Sequence, residues 1–497
     1  MRQSAIAMAM ETAAVAALLS LCCPARAQQP PVAEGAAGQT RPAAGGAESF
    51  TWPIGSIQEP ENPGHHTGSS EAVPELLNEV AKRAPMSVED FLSLSAKSNP
   101  TLDQARSVVR RSEGLARQAG LNPNPTAGYS GDQVRGGAYG GGEQGAFAEQ
   151  TLVLGGKLGL RRDIYRQQAA ADRIGVQEQS YRVRDSVESA FYQALAAQAL
   201  VIVRQRLLRL TLEAGQTAHQ LANVGQADAP DILQAEVESE RAGVDFLRAQ
   251  REFLADFQVL AAAAGAADLP PAPLQGSLDS APPFDAEKQA TAIEEQSPEI
   301  RRARQRVAVA QARLKDAQRE SFPDLTLRGG EWWSGELTGS SNRAAGPMSF
   351  LEAGVKLPLW NRNQGNVEAA KAELEQARQE VLRVQLALRQ RTEPLAQRYL
   401  AARFESERYR TELLPRARRA YELYLMKYQQ MAGSYPQVLL SQRTLFELQI
   451  DYIRSLAELW SNAVALQNYG LTDGLQPPAG APEEPGALNL PNGGGGD

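Results

Sequence analysis

The sequence predicts a mainly α-helical fold with a small membrane β-barrel, built from two copies of one unit. Each unit holds a helix, a pair of strands and a long helical hairpin. Three observations carry this reading. The chain repeats itself about 200 residues apart, it contains long proline-free stretches with helical periodicity, and short segments of alternating polarity flank Gly/Ser-rich loops. Four strands per chain cannot close a membrane barrel, for which eight is about the minimum, but four from each of three chains give twelve.

The repeat is read from prolines and leucines. Pro100, Ala105, Arg106 and Pro125 match Pro298, Ala303, Arg304 and Pro323 at an offset of 198. Leu152 and Leu154 match Leu357 and Leu359 at 205, and Pro230 matches Pro436 at 206. Solenoid units recur every 20–50 residues or so, and a repeat this long is a duplicated half.

At the N-terminus, Arg2, an apolar run from Ala5 to Leu21 and Ala25-Arg26-Ala27 form a Sec-type signal peptide over 1–27. Both cysteines, Cys22 and Cys23, lie inside it, so the mature chain has no thiol chemistry. Acylation of one of them is the alternative, against which stands the bulky Leu21. Residues 28–85 are rich in Pro, Gly, Ala and Glu and read as a flexible segment. His65-His66 sits there without further ligands and is a weak metal site. A net charge of -7 gives no basic footprint for nucleic acid.

The first copy spans 86–268. Ser87 and Asp90 set a capping box for a short helix, and a second helix runs from about Thr101 to Ala119. Asn122-Pro123-Asn124-Pro125 ends it, since proline and its predecessor both resist helical geometry. No proline follows until Pro230, so one helix runs from about Lys157 to Asn223, with Gly175 a possible bend. At 1.5 Å per residue it is about 100 Å long. The return helix covers about Asp231 to Ala263.

The second copy spans 284–472. Its long helix starts near Asn363, and Val367, Ala370, Leu374, Ala377, Val381, Val384 and Leu388 recur at alternating spacings of 3 and 4, a heptad seam. Pro394 and Pro415 interrupt it. Residues 473–497 read as a disordered tail.

Two of the strand segments are clear. Leu351, Ala353, Val355 and Leu357 alternate with Glu352, Gly354 and Lys356, and Leu325 and Leu327 with Thr326 and Arg328. In the first copy the pattern is fainter, at Ala127 and Tyr129 and from Phe147 to Leu154. Alternation with lipid outside and water inside is the signature of membrane strands. Tyr129, Trp332, Trp333 and Trp360 fit an interfacial aromatic girdle, and ordinary hairpin packing fits them equally.

Taken in order, these segments resemble the TolC-like outer-membrane efflux channels over nearly all of 86–475. The motifs are Asn122-Pro123-Asn124-Pro125, Leu154-Gly155-Gly156-Lys157-Leu158-Gly159, Leu357-Pro358-Leu359-Trp360-Asn361-Arg362-Asn363-Gln364-Gly365, Leu414-Pro415-Arg416-Ala417 and Ser441-Gln442-Arg443-Thr444-Leu445-Phe446. None is specific alone, but their order and duplication are. The Pro-Asn-Pro and Leu-Gly-Gly-Lys segments look most like the CzcC, heavy-metal branch.

The resemblance implies a homotrimer whose twelve-stranded barrel crosses the outer-membrane lipid and whose α-barrel reaches into the periplasm. It implies a passive duct for an inner-membrane RND-type pump joined through a periplasmic adaptor. No cofactor and no resident metal are expected, and the residues offer no catalytic set, since His219 is the only histidine of the predicted folded region and that region has no cysteine. It places adaptor docking at the helix turns, Val224, Gly225 and Gln226 in one copy and Ala432, Gly433 and Ser434 in the other. Glycine in such a turn also needs no partner, if it takes a left-handed conformation. The same end closes the pore. Where some relatives carry acids in the second turn this chain has Gln437 and Leu440, while Asp228 and Asp231 lie in the first. A carboxylate ring of Asp231, with Asp228, facing Gln437 is one reading. Capping of the return helix is the other. A type I secretion or drug-efflux duct, and a periplasmic coiled-coil scaffold, are the rival functions.

Overall fold

A computed structural model describes residues 79–481, apart from 133, 135–141, 224–227, 282, 339–342 and 431. The signal segment, Cys22, Cys23 and His65-His66 lie outside the described residues, as do Val224, Gly225 and Gln226.

Elements run in the order α1 (Val88–Ser98), α2 (Pro100–Ala119), β1 (Thr126–Asp132), β2 (Glu143–Leu152), α3 (Lys157–Asn223), α4 (Ala229–Ala263), α5 (Ala286–Gln296), α6 (Pro298–Arg319), β3 (Leu325–Thr338), β4 (Arg343–Val355), α7 (Gln364–Arg408), a π-turn (Tyr409–Leu413), α8 (Leu414–Gln429) and α9 (Tyr435–Gln467). The duplication is plain in the caps. Ser87 and Asp285, 198 residues apart, cap α1 and α5, which are both 11 residues long. Asn99 and Ser297 then cap α2 and α6, each with proline at the first helical position. Asn99 is buried. Its Oδ1 accepts from the Thr101 N–H at 3.0 Å, and its Nδ2 donates to the Ala263 carbonyl at 3.0 Å.

The long helix of the first copy is a single element of 67 residues. Gly175 does not break it. Its counterpart in the second copy is broken: α7 continues through Pro394, but a π-turn precedes α8. Pro415 lacks the amide that would bond the Thr411 carbonyl, and the widened turn sits at that place. The heptad seam of α7 faces inward, with Ala370 and Leu388 buried and the other five members half-buried. It continues past Pro394 through Ala396, Tyr399 and Ala402, all buried.

The core gathers around Phe91, Phe191, Phe253, Phe257, Ile293, Ile300, Leu388, Tyr399 and Trp460, so both copies share it. By length and composition α3 has a stretch apolar enough to cross a membrane, but 61% of that stretch is buried in the protein. Across the copies, Glu178 of α3 is buried and pairs with Arg302 of α6 at 2.9 Å.

Two boundaries differ from the sequence reading. Residues assigned to the tail are clamped up to 481. The Gly474 carbonyl accepts from Thr101 Oγ1 at 3.0 Å and Gln179 Nε2 at 2.9 Å, its N–H donates to Ser186 Oγ at 2.7 Å, and Arg111 donates to the Gly480 carbonyl. The end of the N-terminal lead is likewise held, with Val80 buried and the Arg83 guanidinium on the Pro271 carbonyl at 2.6 Å. Both segments are held by hydrogen bonds to residues far away in the chain.

All four strands form one antiparallel sheet in the order β1-β2-β3-β4. The two copies therefore pair through β2 and β3, and β1 and β4 are its edges.

Candidate functional site: the helix turns and the sheet faces

At the first helix turn, Asp228 takes extended geometry as the N-cap of α4, and Pro230 sits in its first turn. The Asp231 carboxylate accepts from the Asp228 N–H at 3.3 Å, so it turns back on its own helix start. At the second, Ser434 caps α9 and its carbonyl accepts from the Gln437 N–H at 3.2 Å. Gly433 is not in the left-handed region. The expectation of a left-handed glycine fails there, and its role is close approach, since a Cβ would lie 3.2 Å from the Lys427 Cβ. Ala432, Ser434 and Gln437 are exposed, as are Asp228 and Asp231.

Between the α3/α4 hairpin and the α8/α9 hairpin lies a cavity of about 520 Å³. Asp231, Glu238, Arg241, Tyr428, Tyr435 and Arg443 are among the residues lining it. Asp231 thus faces this groove as well as its cap. Arg443 of α9 reaches Glu238 of α4 at 3.8 Å, while Arg204 and Asp245 pair at 2.7 Å within the first hairpin. Burial pushes the Tyr435 phenol up to about 12. His219, just above the first turn, is exposed and meets Glu236 at 3.1 Å. No group of three or more His, Cys, Asp or Glu side chains able to hold a metal ion occurs among the described residues.

The sheet has two unlike faces, because successive side chains point to opposite sides. One face carries Tyr129, Trp333, Leu351 and Val355, which are 68%, 58%, 83% and 51% exposed. The other carries Glu143, Glu149, Arg328 and Glu352. This separates the two tryptophans that the sequence reading placed together in the girdle. Trp333 lies with Tyr129 on the apolar face, near the loop end of the strands. Trp332 points to the charged face and stacks on Phe350 with ring centroids 4.4 Å apart. Adjacent residues of one strand point to opposite faces, so Trp332 and Trp333 do not share one. Trp360 follows β4 in the connection to α7 and is 87% exposed.

Lys157 ends the Leu154-Gly155-Gly156-Lys157 motif, and its role is set by tertiary contacts. Gly155 and Gly156 take φ of 70° and 76°, turning the chain from β2 into α3, where Lys157 is buried. Its Nζ meets Asp324 Oδ2 at 2.7 Å and the Phe322 carbonyl at 3.0 Å, while Asp324 Oδ1 accepts from the Leu154 N–H at 3.0 Å. The partner stands at the start of β3 in the other copy, and no local spacing signals it.

The family model described as "Outer membrane efflux protein" matches residues 291–469. Over those residues the chain is similar to the outer membrane efflux proteins. The match covers the second copy of the repeat, and wider comparisons reach into the first. The chain is 27% identical over 403 residues to the cobalt-zinc-cadmium resistance protein CzcC of Cupriavidus metallidurans, covering 80% of this chain and 93% of that protein. Among solved structures it is similar to CusC, with a TM-score of 0.63, 18% identity and coverage of 78% and 92% of the two chains. It is also similar to the outer membrane protein VceC of Vibrio cholerae, with a TM-score of 0.60, 17% identity and coverage of 78% and 97%. The fold is thus that of the TolC-like channels, a helical barrel joined to a β-barrel. Like the proteins it matches, the chain is placed at the outer membrane with a periplasmic helical portion.

Proposed function

We propose that the protein works as a homotrimer, the passive outer-membrane duct of a tripartite efflux system for heavy-metal cations. An inner-membrane RND-type pump supplies the cations and a periplasmic adaptor joins pump to duct. The observation that carries this is the open four-stranded sheet, with two unpaired edges, one mainly apolar face on which Glu331 is the charged exception, and one face that carries Glu143, Glu149, Arg328 and Glu352. In lipid every backbone group needs a partner, so such a sheet spans a bilayer only by closing with copies of itself. Three copies make twelve strands.

The helices support the same assembly. Leu233, Val237, Val244 and Leu247 on α4, and Leu382, Leu386 and Phe404 on α7, form apolar stripes that this chain leaves exposed. Neighbouring protomers would cover them. Similarity to a cobalt-zinc-cadmium resistance protein supports metal cations as cargo. The reading assigns no catalytic residue and no cofactor.

Docking of the adaptor is assigned to Val224, Gly225, Gln226, Ala432, Gly433 and Ser434. A photo-crosslinking residue at Ser434 in intact cells is expected to capture an adaptor of the metal-efflux class. Capture of a secretion adaptor instead would overturn the metal assignment, and release of the protein from membranes by high salt would overturn the barrel.

Asp231, with Asp228, is assigned to the pore constriction opposite Gln437. Asp231→Asn keeps an oxygen acceptor for the Asp228 N–H, so it removes charge while preserving the cap. Single-channel recordings are expected to lose cation preference. Unchanged selectivity would leave Asp231 a helix cap only.

A further inference from the structure

The strand register arranges the charged face of the sheet in rows. One row reads Thr126, Glu149, Arg328 and Glu352, across β1 to β4. The next, toward the loops, reads Gly128, Phe147, Gly330 and Phe350, and the one after it Ser130, Gly145, Trp332 and Met348. A membrane barrel ordinarily turns apolar side chains to lipid and polar ones to its lumen. Here three aromatic rings lie on the face that carries Glu149, Arg328 and Glu352, where lipid cannot be. Trp332 stacks on Phe350.

These rings are seated against the wall. A Cβ on Gly128 would lie 2.7 Å from the Phe147 ring, and one on Gly330 would lie 2.9 Å from the Phe350 ring. Each ring therefore covers a bare glycine backbone on the neighbouring strand. The Arg328 guanidinium stands 4.3 Å from the Phe147 centroid and 5.8 Å from that of Phe350. Glu352 meets Arg328 from the next strand at 3.9 Å. Glycine on one side and arginine on the other hold Phe147 in one position.

We propose that Phe147, Phe350 and Trp332 form an aromatic belt inside the exit barrel that sets the size of solute able to cross it. The proposal rests on the trimeric-barrel reading above. Threefold repetition places six phenylalanines alternating with six glycines around the lumen, followed by a ring of three tryptophans. Size selection would then occur at the outer exit as well as at the periplasmic turns, and it would come from fixed rings rather than mobile charged side chains.

Polymer exclusion in planar lipid bilayers tests this with the full-length protein. Polyethylene glycols of graded size, added on the barrel side, lower the single-channel conductance only if they enter the lumen. The double variant Phe147→Ala/Phe350→Ala is expected to admit larger polymers than the unaltered channel. Phe147→Leu/Phe350→Leu, which keeps the row apolar with smaller side chains, is expected to shift the cut-off the same way by less. It serves where the alanine form does not assemble. An unchanged cut-off in either assembled variant overturns the belt. Absence of discrete channels from the unaltered protein would instead overturn the barrel reading itself, which separates the two failures.

Discussion

Asp185→Asn is expected to raise the thermal unfolding midpoint of the detergent-solubilised protein at pH 8 and to leave it nearly unchanged near pH 3. Asp185 lies on α3, is buried, and its Oδ1 has no hydrogen-bond partner. Burial pushes its carboxyl up from 3.8 to about 7, and the nearby Glu188 carboxylate adds to the rise. Glu188 is itself held by the Asn468 Nδ2 at 2.9 Å and Arg184 at 2.8 Å, so it stays in place beside Asp185. The folded state therefore binds a proton more tightly than the unfolded chain. For a carboxyl raised in this way, stability is highest below the unfolded value and falls as pH climbs toward the folded one. The window is pH 3.8 to 7. Across it the native state loses at most about 4 kcal/mol, from the size of the shift and 1.36 kcal/mol per unit. Asparagine carries no charge at any of these pH values, so the variant should lose that slope. A variant whose midpoint tracks the unaltered protein from pH 4 to 8 would show that this carboxyl does not control it.

Asp324→Ala is expected to cost about 3–5 kcal/mol, the range for breaking a buried ion pair by removing one partner. Lys157 would keep its charge in a site only 2% exposed, with the Phe322 carbonyl as its remaining partner. The Leu154 N–H would also lose its acceptor. Asp324 is 31% exposed, and water reaching it draws the cost toward the lower end. Adding Lys157→Met should recover much of the loss, because an apolar side chain of similar length needs no counter-charge there. Denaturation of the three variants as a cycle decides this. A double variant less stable than Asp324→Ala alone would mean that Lys157 contributes through packing rather than through its charge. The consequence reaches beyond stability, since this pair ties the start of the long helix to the start of β3.

Much of the scaffold was legible because it is written locally. Pro123, Pro125 and Pro230 bracket the longest helix, since proline removes an amide and restricts its predecessor wherever it falls. The α7 seam, Val367 to Leu388, showed its inward face through spacing alone. Leu351, Ala353 and Val355 showed a strand, though not which residues would oppose them. The site was less legible. Asp231 offered two roles in the sequence, and the structure shows it capping its helix and lining the groove. Residues 473–481 read as tail because composition measures what a segment can bury by itself. Thr101, Gln179 and Ser186 hold Gly474 from nearly 300 residues and more away in the chain.

By itself the sequence determined the duplication, the helix lengths, the strand segments and the resemblance to the outer membrane efflux proteins. Each depends on contacts or conformations within a few residues, or on a pattern matched copy against copy. The tertiary structure alone decided that the copies join through β2 and β3, that Trp332 leaves Trp333 for the opposite face, and that Lys157 meets Asp324. The physical reason is the register: pairing β2 with β3 brings together residues far apart in the chain, from Glu143 with Ser334 to Leu152 with Leu325, and a slip of one residue would turn every side chain of a strand to the other face. No periodicity within either segment encodes that choice. It is made where the strands meet, and there the charged face, its aromatic rings and the glycines beneath them come into line.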